Sequence, residues 1–289
     1  MPRIRLLPVE KATYIYIAAT TLYLGIFFQK LDSPWIHFGV RILVSTLILV
    51  LACVESQKSR PVVAGVRCFL PFALLSYWYP ETYYFNSFIF PNLDHYFVAA
   101  DQALFGCQPS LEFSKLMPQA WFSELMYFGY FSYFFLIFGT ALWCYIHRKE
   151  IFHKAIFIFV VSFYLYYIIF AIIPVIGPQF YFDPQLIEVP DGYVFCSAMR
   201  FFQYVGEKPT GAFPSSHVGI TFIVIIFVYR HCRHLLRFVL PLFIILTLST
   251  VYIKAHYLVD VIGGFISAIL FYFLTSSLYR KINSDSQYL

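Results

Sequence analysis

Near its carboxyl end the sequence reads Tyr252-Ile253-Lys254-Ala255-His256-Tyr257-Leu258-Val259-Asp260-Val261-Ile262-Gly263-Gly264, and it stays apolar as far as Tyr279. The run from His256 to Tyr279 is long enough to predict a helix that spans a bilayer. Residues four apart share a helix face, so the Asp260 carboxylate is expected to reach the His256 ring. A carboxylate on one ring nitrogen leaves the other nitrogen free as a base or nucleophile. Ionisable groups at the mouth of a membrane helix are usually functional, although such a pair can also serve only to anchor the helix.

The composition excludes a soluble domain. Of the 289 residues, 60% are hydrophobic, 22% are aromatic and only 12% are charged. This balance predicts a polytopic membrane protein whose first partner is the lipid bilayer. The net charge of +5 is therefore interpreted loop by loop, and no nucleic-acid partner is expected. The six cysteines show no metal-ligand spacing, so neither a metal site nor another cofactor is expected.

The remaining apolar runs extend the same pattern over the whole chain. They predict an all-α bundle of about eight transmembrane helices, because a span must satisfy its own backbone polar groups. The runs cover residues 12–28, 35–54, 62–79, 120–146, 151–173, 217–229, 235–252 and 256–279. No internal repeat or linker divides the chain, so we expect one membrane domain, 1–289. Within it we expect amino-terminal spans and an outer segment in 1–119 and a catalytic helical core in 120–289.

The charge distribution gives an orientation. With the amino terminus in the cytoplasm, 14 of the 20 Lys and Arg residues fall on the inner side. The positive-inside rule then places both termini in the cytoplasm.

The segment 80–119 becomes a long outer segment in this orientation, and its mixture of aromatic and polar residues predicts an interfacial helix. The segment 174–213 is the second long outer segment. The two hold Cys107 and Cys196, and the sequence leaves open whether these pair.

A second polar motif, Gly211-Ala212-Phe213-Pro214-Ser215-Ser216-His217, stands just before the sixth apolar run. Pro and Ser are favoured where a helix begins, and the free amides and positive dipole end there attract phosphate. Alternatively, the motif is an ordinary helix start with no role in binding phosphate. However, alternation of the spans makes the helices that begin near His217 and His256 both enter from the outer face. Two imidazoles, one carboxylate and a candidate phosphate site are thus expected at one end of the bundle.

These groups form a set that suits phosphoryl transfer. One imidazole can attack phosphorus, and the other can protonate the leaving oxygen. The transferred group also needs cations or N–H donors around its oxygens. Lys254 is the nearest cation in sequence to His256, and Lys208 and Arg200 lie in the adjoining outer segment.

Taken together, the two motifs resemble a known family. Pro214-Ser215-Ser216-His217, followed after residues 218–248 by Ser249 and His256-x-x-x-Asp260, resembles the last two motifs of the type 2 phosphatidic acid phosphatase and vanadium haloperoxidase superfamily. The resemblance implies a metal-independent enzyme with His256 as nucleophile, Asp260 as its partner and His217 as general acid. The chain departs from the family's phosphate clamp. Thr250 and Gln179 stand where relatives carry Arg, and the family's first motif is not found upstream.

Within that superfamily, the stretches Gly211-Ala212-Phe213-Pro214-Ser215-x-His217 and Tyr252-x-x-x-His256-Tyr257-x-Val259-Asp260 are similar to the inositol phosphorylceramide synthase and sphingomyelin synthase branch. Asp101-x-x-Leu104-Phe105-Gly106-x-x-Pro109 is also similar to that branch. This similarity implies transfer of a phospho-headgroup from a phospholipid to a lipid alcohol, of the inositolphosphotransferase type in sphingolipid metabolism.

Three alternatives remain open at this point. The first is a phosphatase for lipid phosphates or polyprenyl pyrophosphates. The second is a transporter or channel with a histidine relay, which charged residues deep in the spans would favour; Arg41, Arg67 and Glu124 instead fall near span ends. The third is a scaffolding membrane protein, which leaves the triad unexplained. The sequence names neither the lipid nor the oligomeric state.

Overall fold

A computed structural model describes residues 4–57 and 60–287 of the chain, with side chains described as far as residue 282. Arg3 and Lys58, two of the charges assigned to the inner side, lie outside these residues. The described chain is built from α-helices, with short 3₁₀ and π segments between them. The α-helices are α1 Pro8–Ile26, α2 Pro34–Gln57, α3 Pro61–Ala73, α4 Leu75–Glu81, α5 Asp94–Phe105, α6 Pro109–Leu116, α7 Ala120–Phe134, α8 Thr140–His147, α9 Lys149–Ile172, α10 Pro178–Tyr181, α11 Val194–Gly206, α12 Ser216–His231, α13 Leu236–Tyr252 and α14 Leu258–Gln287.

Six helical segments in the described chain are long and apolar enough to cross a membrane. They are Pro34–Gln57, Pro61–Tyr84, Ala120–His147, Lys149–Ile172, Arg233–Tyr252 and Leu258–Ile282. The predicted run 217–229 corresponds to α12, which is a shorter apolar helix. The predicted run 12–28 corresponds to α1, which has 19 residues and is not one of the six. The prediction of an all-α, polytopic membrane bundle is confirmed.

Helix boundaries near the candidate site differ from the predicted ones. The segment 80–119 holds two helices, α5 and α6, in place of one. Helix α14 begins at Leu258 rather than at His256, because carboxylates accept from the amides of Tyr257, Leu258 and Val259 and so fix the first turn at this point. His256 therefore lies in the turn between α13 and α14. The carboxylate of Asp260 accepts a hydrogen bond from the amide of Tyr257 at 2.9 Å, as a capping residue does at a helix start.

The core is organised around α9, which is largely buried. Helices α1, α3, α8, α12 and α14 all pack against it. Helix α12 lies between α9, α13 and α14, and α13 packs on α7. Gly264 allows α14 to approach the start of α12 closely, since a Cβ at this position would lie 2.8 Å from the carbonyl oxygen of Ser215. The helix arrangement thus brings the two polar motifs to one end of the bundle.

Two buried ion-pair clusters join the amino-terminal helices. The Arg41 guanidinium on α2 lies 2.6 Å from a carboxylate oxygen of Glu81 on α4. The Arg67 guanidinium on α3 lies 2.5 Å from a carboxylate oxygen of Glu10 on α1. Removing one partner from such a pair leaves an uncompensated buried charge, which is strongly destabilising. These arginines therefore connect neighbouring helices. This structural role accounts for the buried charges without a proton relay.

Candidate active site

Three side chains from the two motifs meet at one end of the bundle. His217 is in the first turn of α12, His256 is in the turn before α14, and Asp260 is in the first turn of α14. The Nδ1 atom of His217 lies 3.3 Å from the Nε2 atom of His256. On the other side of the His256 ring, Nδ1 lies 3.5 Å from Oδ2 of Asp260. The convergence expected from the sequence is present, with His256 between the other two.

Backbone hydrogen bonds hold the two motifs together. The amide of Ser215 donates to the carbonyl oxygen of Asp260 at 3.0 Å, which ties the start of α12 to the first turn of α14. The hydroxyl of Ser215 accepts from the amide of Val218 at 3.3 Å and caps α12. The amide of His256 donates to the carbonyl oxygen of Thr250 at 3.1 Å. The imidazoles are thus held by backbone as well as by side-chain packing.

Aromatic rings of α7 fix the orientation of His217. The ring of Tyr130 stacks on it with a centroid distance of 4.6 Å, and the ring of Tyr133 lies at 4.4 Å. A ring held between two tyrosines has little rotational freedom. This packing keeps its Nδ1 directed at His256, as the 3.3 Å contact requires.

Burial determines the charge state of His256. The residue is 3% exposed, and removal from water lowers the pKa of His256 to about 4. The imidazole is therefore neutral near pH 7, and a neutral ring has a free nitrogen lone pair. With Asp260 beside Nδ1, the Nε2 atom is the nitrogen available to attack an electrophile.

Among the contacts between residues that the structure describes, Lys254 touches neither histidine. Its ammonium donates to the hydroxyl of Ser114 on α6 at 2.6 Å, and the residue is 1% exposed. Burial is the main reason that the pKa of Lys254 falls to about 8. Its carbonyl oxygen accepts from the amide of Gln179 at 2.9 Å. The ammonium is thus a buried cation whose described side-chain partner is a neutral hydroxyl.

The other predicted phosphate-binding residues lie in different settings. Ser216 begins α12 beside His217, whereas the Ser215 amide and hydroxyl are both used within the protein, as described above. Arg200 is exposed on α11 and pairs with Asp191 at 2.6 Å. Lys208 follows α11, and its carbonyl oxygen accepts from the amide of Thr210 at 2.7 Å. The Gln179 amide group donates to a carboxylate oxygen of Glu207 at 2.7 Å.

Sequence reasoning missed the position of Glu207. Its carboxylate accepts hydrogen bonds from the Tyr130 hydroxyl at 3.0 Å, from Gln179 and from Gln203. Burial raises the pKa of Glu207, while these hydrogen bonds and, to a smaller extent, the field of His256 act in the opposite direction. A carboxylate therefore stands close to the two histidines. Its position in a charged loop gave no periodic signal that could have identified it.

Two aspartates on α5 hold the backbone around His256, and sequence reasoning did not assign them. Asp94 accepts from the amides of Ile176 and Gly177, both at 2.8 Å, and from the Tyr257 hydroxyl at 2.9 Å. Asp101 accepts from the amides of Leu258 and Val259, both at 3.0 Å, and so caps α14. Asp101 belongs to the motif quoted above, which was the available signal for it.

Two cavities lie near the site, and His217 lines the first of them. The first, of about 830 Å³, is mostly apolar and reaches Ser216 and His217; it is lined by Phe residues of α3, α7, α9 and α11, including exposed Phe134 and Phe202. The second, of about 710 Å³, is lined by the outer segment 179–191 and by α11, with Glu188, Asp191 and Arg200 among its charged side chains. Gln203 and Glu207 line both cavities.

The fold and the site define a helical membrane protein with a buried His–His–Asp arrangement beside an apolar cavity. The sequence profile of the PAP2 superfamily matches residues 95–274, which is more than half of the chain, so the protein belongs to the PAP2 superfamily. Membership suggests phosphatase-type activity on lipid phosphates. No curated protein and no solved structure shows significant similarity to the chain.

Proposed function

We propose that the protein cleaves a phosphoester bond of a membrane lipid through a phosphohistidine on His256. The observation that carries this proposal is the 3.3 Å contact between His217 Nδ1 and His256 Nε2, with Asp260 behind the His256 ring. Nε2 attacks phosphorus and forms a P–N bond while the bond from phosphorus to the leaving oxygen breaks. His217 gives that oxygen its proton.

The second half of the reaction reverses these roles. An acceptor hydroxyl gives its proton to His217 and attacks phosphorus, and the P–N bond breaks. Asp260 keeps the His256 ring in one tautomer and stabilises the positive charge that the ring acquires as the P–N bond forms. Both histidines return to their starting protonation states, so the cycle balances.

The phosphoryl oxygens require positive charge or N–H donors. The candidates are Lys254, the amides and hydroxyl at Ser216 and His217, and more distantly Lys208, Arg200, Ser215 and Gln179. Lys254 is the first of these because its buried ammonium has no carboxylate among its described hydrogen-bond partners. Helix α12 adds the positive end of its dipole at the same place.

The apolar cavity supports a lipid substrate. Its volume of about 830 Å³ and its aromatic lining suit acyl chains, and it reaches both Ser216 and His217. Exposed Phe134 and Phe202 in its lining place an opening on the apolar flank of the bundle. A lipid that enters from the bilayer would thus bring its phosphate to the histidines without leaving the membrane.

The protein's orientation is part of the proposal. We place both termini in the cytoplasm and the histidines at the extracytoplasmic face. The support is that Arg230, Arg233 and Arg237 lie at the α12–α13 junction, at the opposite end of these helices from His217 and His256. Residues 120–289 supply the catalytic core, and 1–119 supply spans and α5, which holds the His256 turn.

A second candidate is transfer of the phospho-headgroup to a lipid alcohol in place of water. The apolar cavity favours it, because a lipid alcohol can occupy that space while water is excluded from the intermediate. The motif similarity given above favours a transfer of the inositolphosphotransferase type. A partition assay separates the candidates: purified protein is given a labelled phospholipid with ceramide or diacylglycerol alongside water. If the only labelled product were free phosphate or headgroup phosphate, transfer to a lipid alcohol would be rejected and hydrolysis would remain.

The test of the triad uses His256→Ala, His217→Ala and Asp260→Asn, assayed in excess chelator because the family resemblance implies a metal-independent reaction. Each variant should lose at least about a thousandfold in kcat, and the losses should not add, because such residues act as a unit. The labelled phosphoenzyme should disappear in His256→Ala. The exposed His234 provides the matched control, His234→Ala, which should stay active. A His256→Ala protein with near-normal turnover would disprove the mechanism.

A further inference from the structure

The unexplained group at this site is the carboxylate of Glu207. Its three described donors are all neutral: the Tyr130 hydroxyl on Oε1 at 3.0 Å, and the amide groups of Gln179 and Gln203 on Oε2 at 2.7 and 3.3 Å. An ionised carboxylate only accepts hydrogen bonds, and donors directed at both oxygens fit that form. No Lys or Arg contacts Glu207 in the described contacts.

Glu207 stands at the boundary of the two cavities. Together with Gln203 it lines both the apolar cavity, which reaches His217, and the polar cavity on the other side. Its partner Tyr130 also stacks on His217. The field of Glu207 acts on His256 itself. A phosphate attacked by His256 would therefore lie within reach of a negative charge in a setting where water screens little.

The balance of charge at the site then decides which phosphate is tolerated. The buried Lys254 supplies one candidate cation, while the exposed Arg200 is already paired with Asp191. A phosphomonoester carries close to two negative charges near pH 7 and a phosphodiester carries one. With one cation and one carboxylate near the site, the single negative charge of a phosphodiester is poorly compensated, and the double charge of a phosphomonoester is compensated less well.

We infer that Glu207 is a specificity-determining residue, which selects phosphodiester lipids over phosphomonoester lipids by repelling the second negative charge of a monoester. This inference rests on the proposed function and names its substrate class. The two cavities fit such a substrate: the acyl chains occupy the apolar cavity, the headgroup occupies the polar cavity of about 710 Å³, and Glu207 lies between them.

His256 Nε2 attacks the diester phosphorus, the bond from phosphorus to the diacylglycerol oxygen breaks, and His217 protonates that oxygen. The headgroup phosphate remains on His256 as a phosphoramidate until an alcohol or water takes it and returns a proton to His217. The phosphoryl group of this intermediate still carries the headgroup and only one negative charge. Glu207 therefore meets no second negative charge while the phosphohistidine forms or breaks down.

The decisive experiment compares two lipids with identical acyl chains, dioleoyl phosphatidic acid and dioleoyl phosphatidylglycerol, in the same detergent. The wild-type protein should show at least tenfold higher kcat/KM on the diester. Glu207→Gln keeps the shape and should reduce that preference at least tenfold by raising activity on the monoester. Glu150→Gln, an exposed change at the start of α9, is the control that should leave the ratio unchanged.

A second variant keeps Glu207 in place. Gln179→Arg puts a cation beside the carboxylate, since the Gln179 nitrogen lies 2.7 Å from Oε2. It should also raise monoester activity, and it should do so less in the Glu207→Gln background. If Glu207 had only a structural role, Glu207→Gln would lower kcat/KM equally on both lipids, and this result would overturn the inference. A wild-type preference for the monoester would overturn it as well. Absence of wild-type activity on both lipids would instead reject the proposed function itself.

Discussion

At the scale of single residues, Lys254 carries an unusual combination of features. Its backbone is left-handed at φ 64°, which is uncommon for a residue other than glycine and costs about 1–3 kcal/mol. Its ammonium is buried with the Ser114 hydroxyl as its described side-chain partner. Strain and an incompletely compensated charge occur together two residues before His256. Backbone strain of this kind clusters at active sites and ligand-binding positions.

We predict that Lys254→Met lowers kcat/KM by roughly tenfold to a thousandfold, or about 1–4 kcal/mol of transition-state stabilisation. The active form is the ammonium, and burial lowers the pKa of Lys254 to about 8. Wild-type kcat/KM should therefore fall as pH rises through about 8, and Lys254→Arg should move that fall to higher pH. The control is Lys149→Met, because Lys149 is exposed at the start of α9, at the opposite end of the bundle. An unaffected Lys254→Met protein would transfer the role to Lys208, Arg200 or the amides of Ser216 and His217.

At the scale of elements, α5 holds the loops around His256. Asp94 binds the amides that precede α10, and Asp101 caps α14, whose first turn carries Asp260. Gly177, at φ 88°, lies under the same turn, since a Cβ there would be 2.8 Å from the carbonyl oxygen of Ala255. Helix α5 therefore acts on the site through the backbone, without touching either imidazole in the described contacts.

Removing the Asp101 cap should displace this turn. Asp101→Ala leaves two partly buried amides without their acceptor, so the free energy of unfolding should fall by about 0.5–2 kcal/mol. The kcat should fall as well, because Asp260 moves with the first turn of α14. Asp101→Asn keeps one acceptor oxygen and should recover part of both losses. Thermal unfolding in detergent and steady-state kinetics measure the two effects. Asp183→Ala, at an exposed position, is the control, and equal behaviour of the two Ala variants would contradict the role of Asp101.

The elements also show what the sequence could predict. The helices and the meeting of His217 with His256 followed from apolar run lengths and the alternation of spans, which are local properties. The division of the 80–119 segment into α5 and α6 follows from Gly106, which ends α5 in a left-handed conformation at φ 71°. The contacts of Lys254 with Ser114 and of Glu207 with Tyr130 join residues 140 and 77 positions apart. No sequence periodicity encodes such pairs, so they required the three-dimensional structure.

At the scale of the whole molecule, the orientation in the membrane decides which lipids the site can reach. The histidines, the α5–α6 turn and segment 174–213 lie at one end of the bundle, because Ser114 of α6 contacts Lys254 and Asp101 of α5 contacts α14. The basic residues Arg148, Lys149 and Arg233 lie at the opposite helix ends. The positive-inside rule then predicts an extracytoplasmic site.

Cys107 provides a direct measurement of this orientation. It lies between α5 and α6, at the end of the bundle that holds the histidines, and of the described cysteines it is the exposed one, while Cys196 is buried and unpaired. A membrane-impermeant maleimide should therefore label Cys107 on intact cells, and Cys107→Ser should abolish the label. Lys149→Cys in the Cys107→Ser background places a thiol at the exposed start of α9, and it should react only after permeabilisation. If the two thiols behaved the other way round, the site would face the cytoplasm, and its lipid would have to come from the inner leaflet.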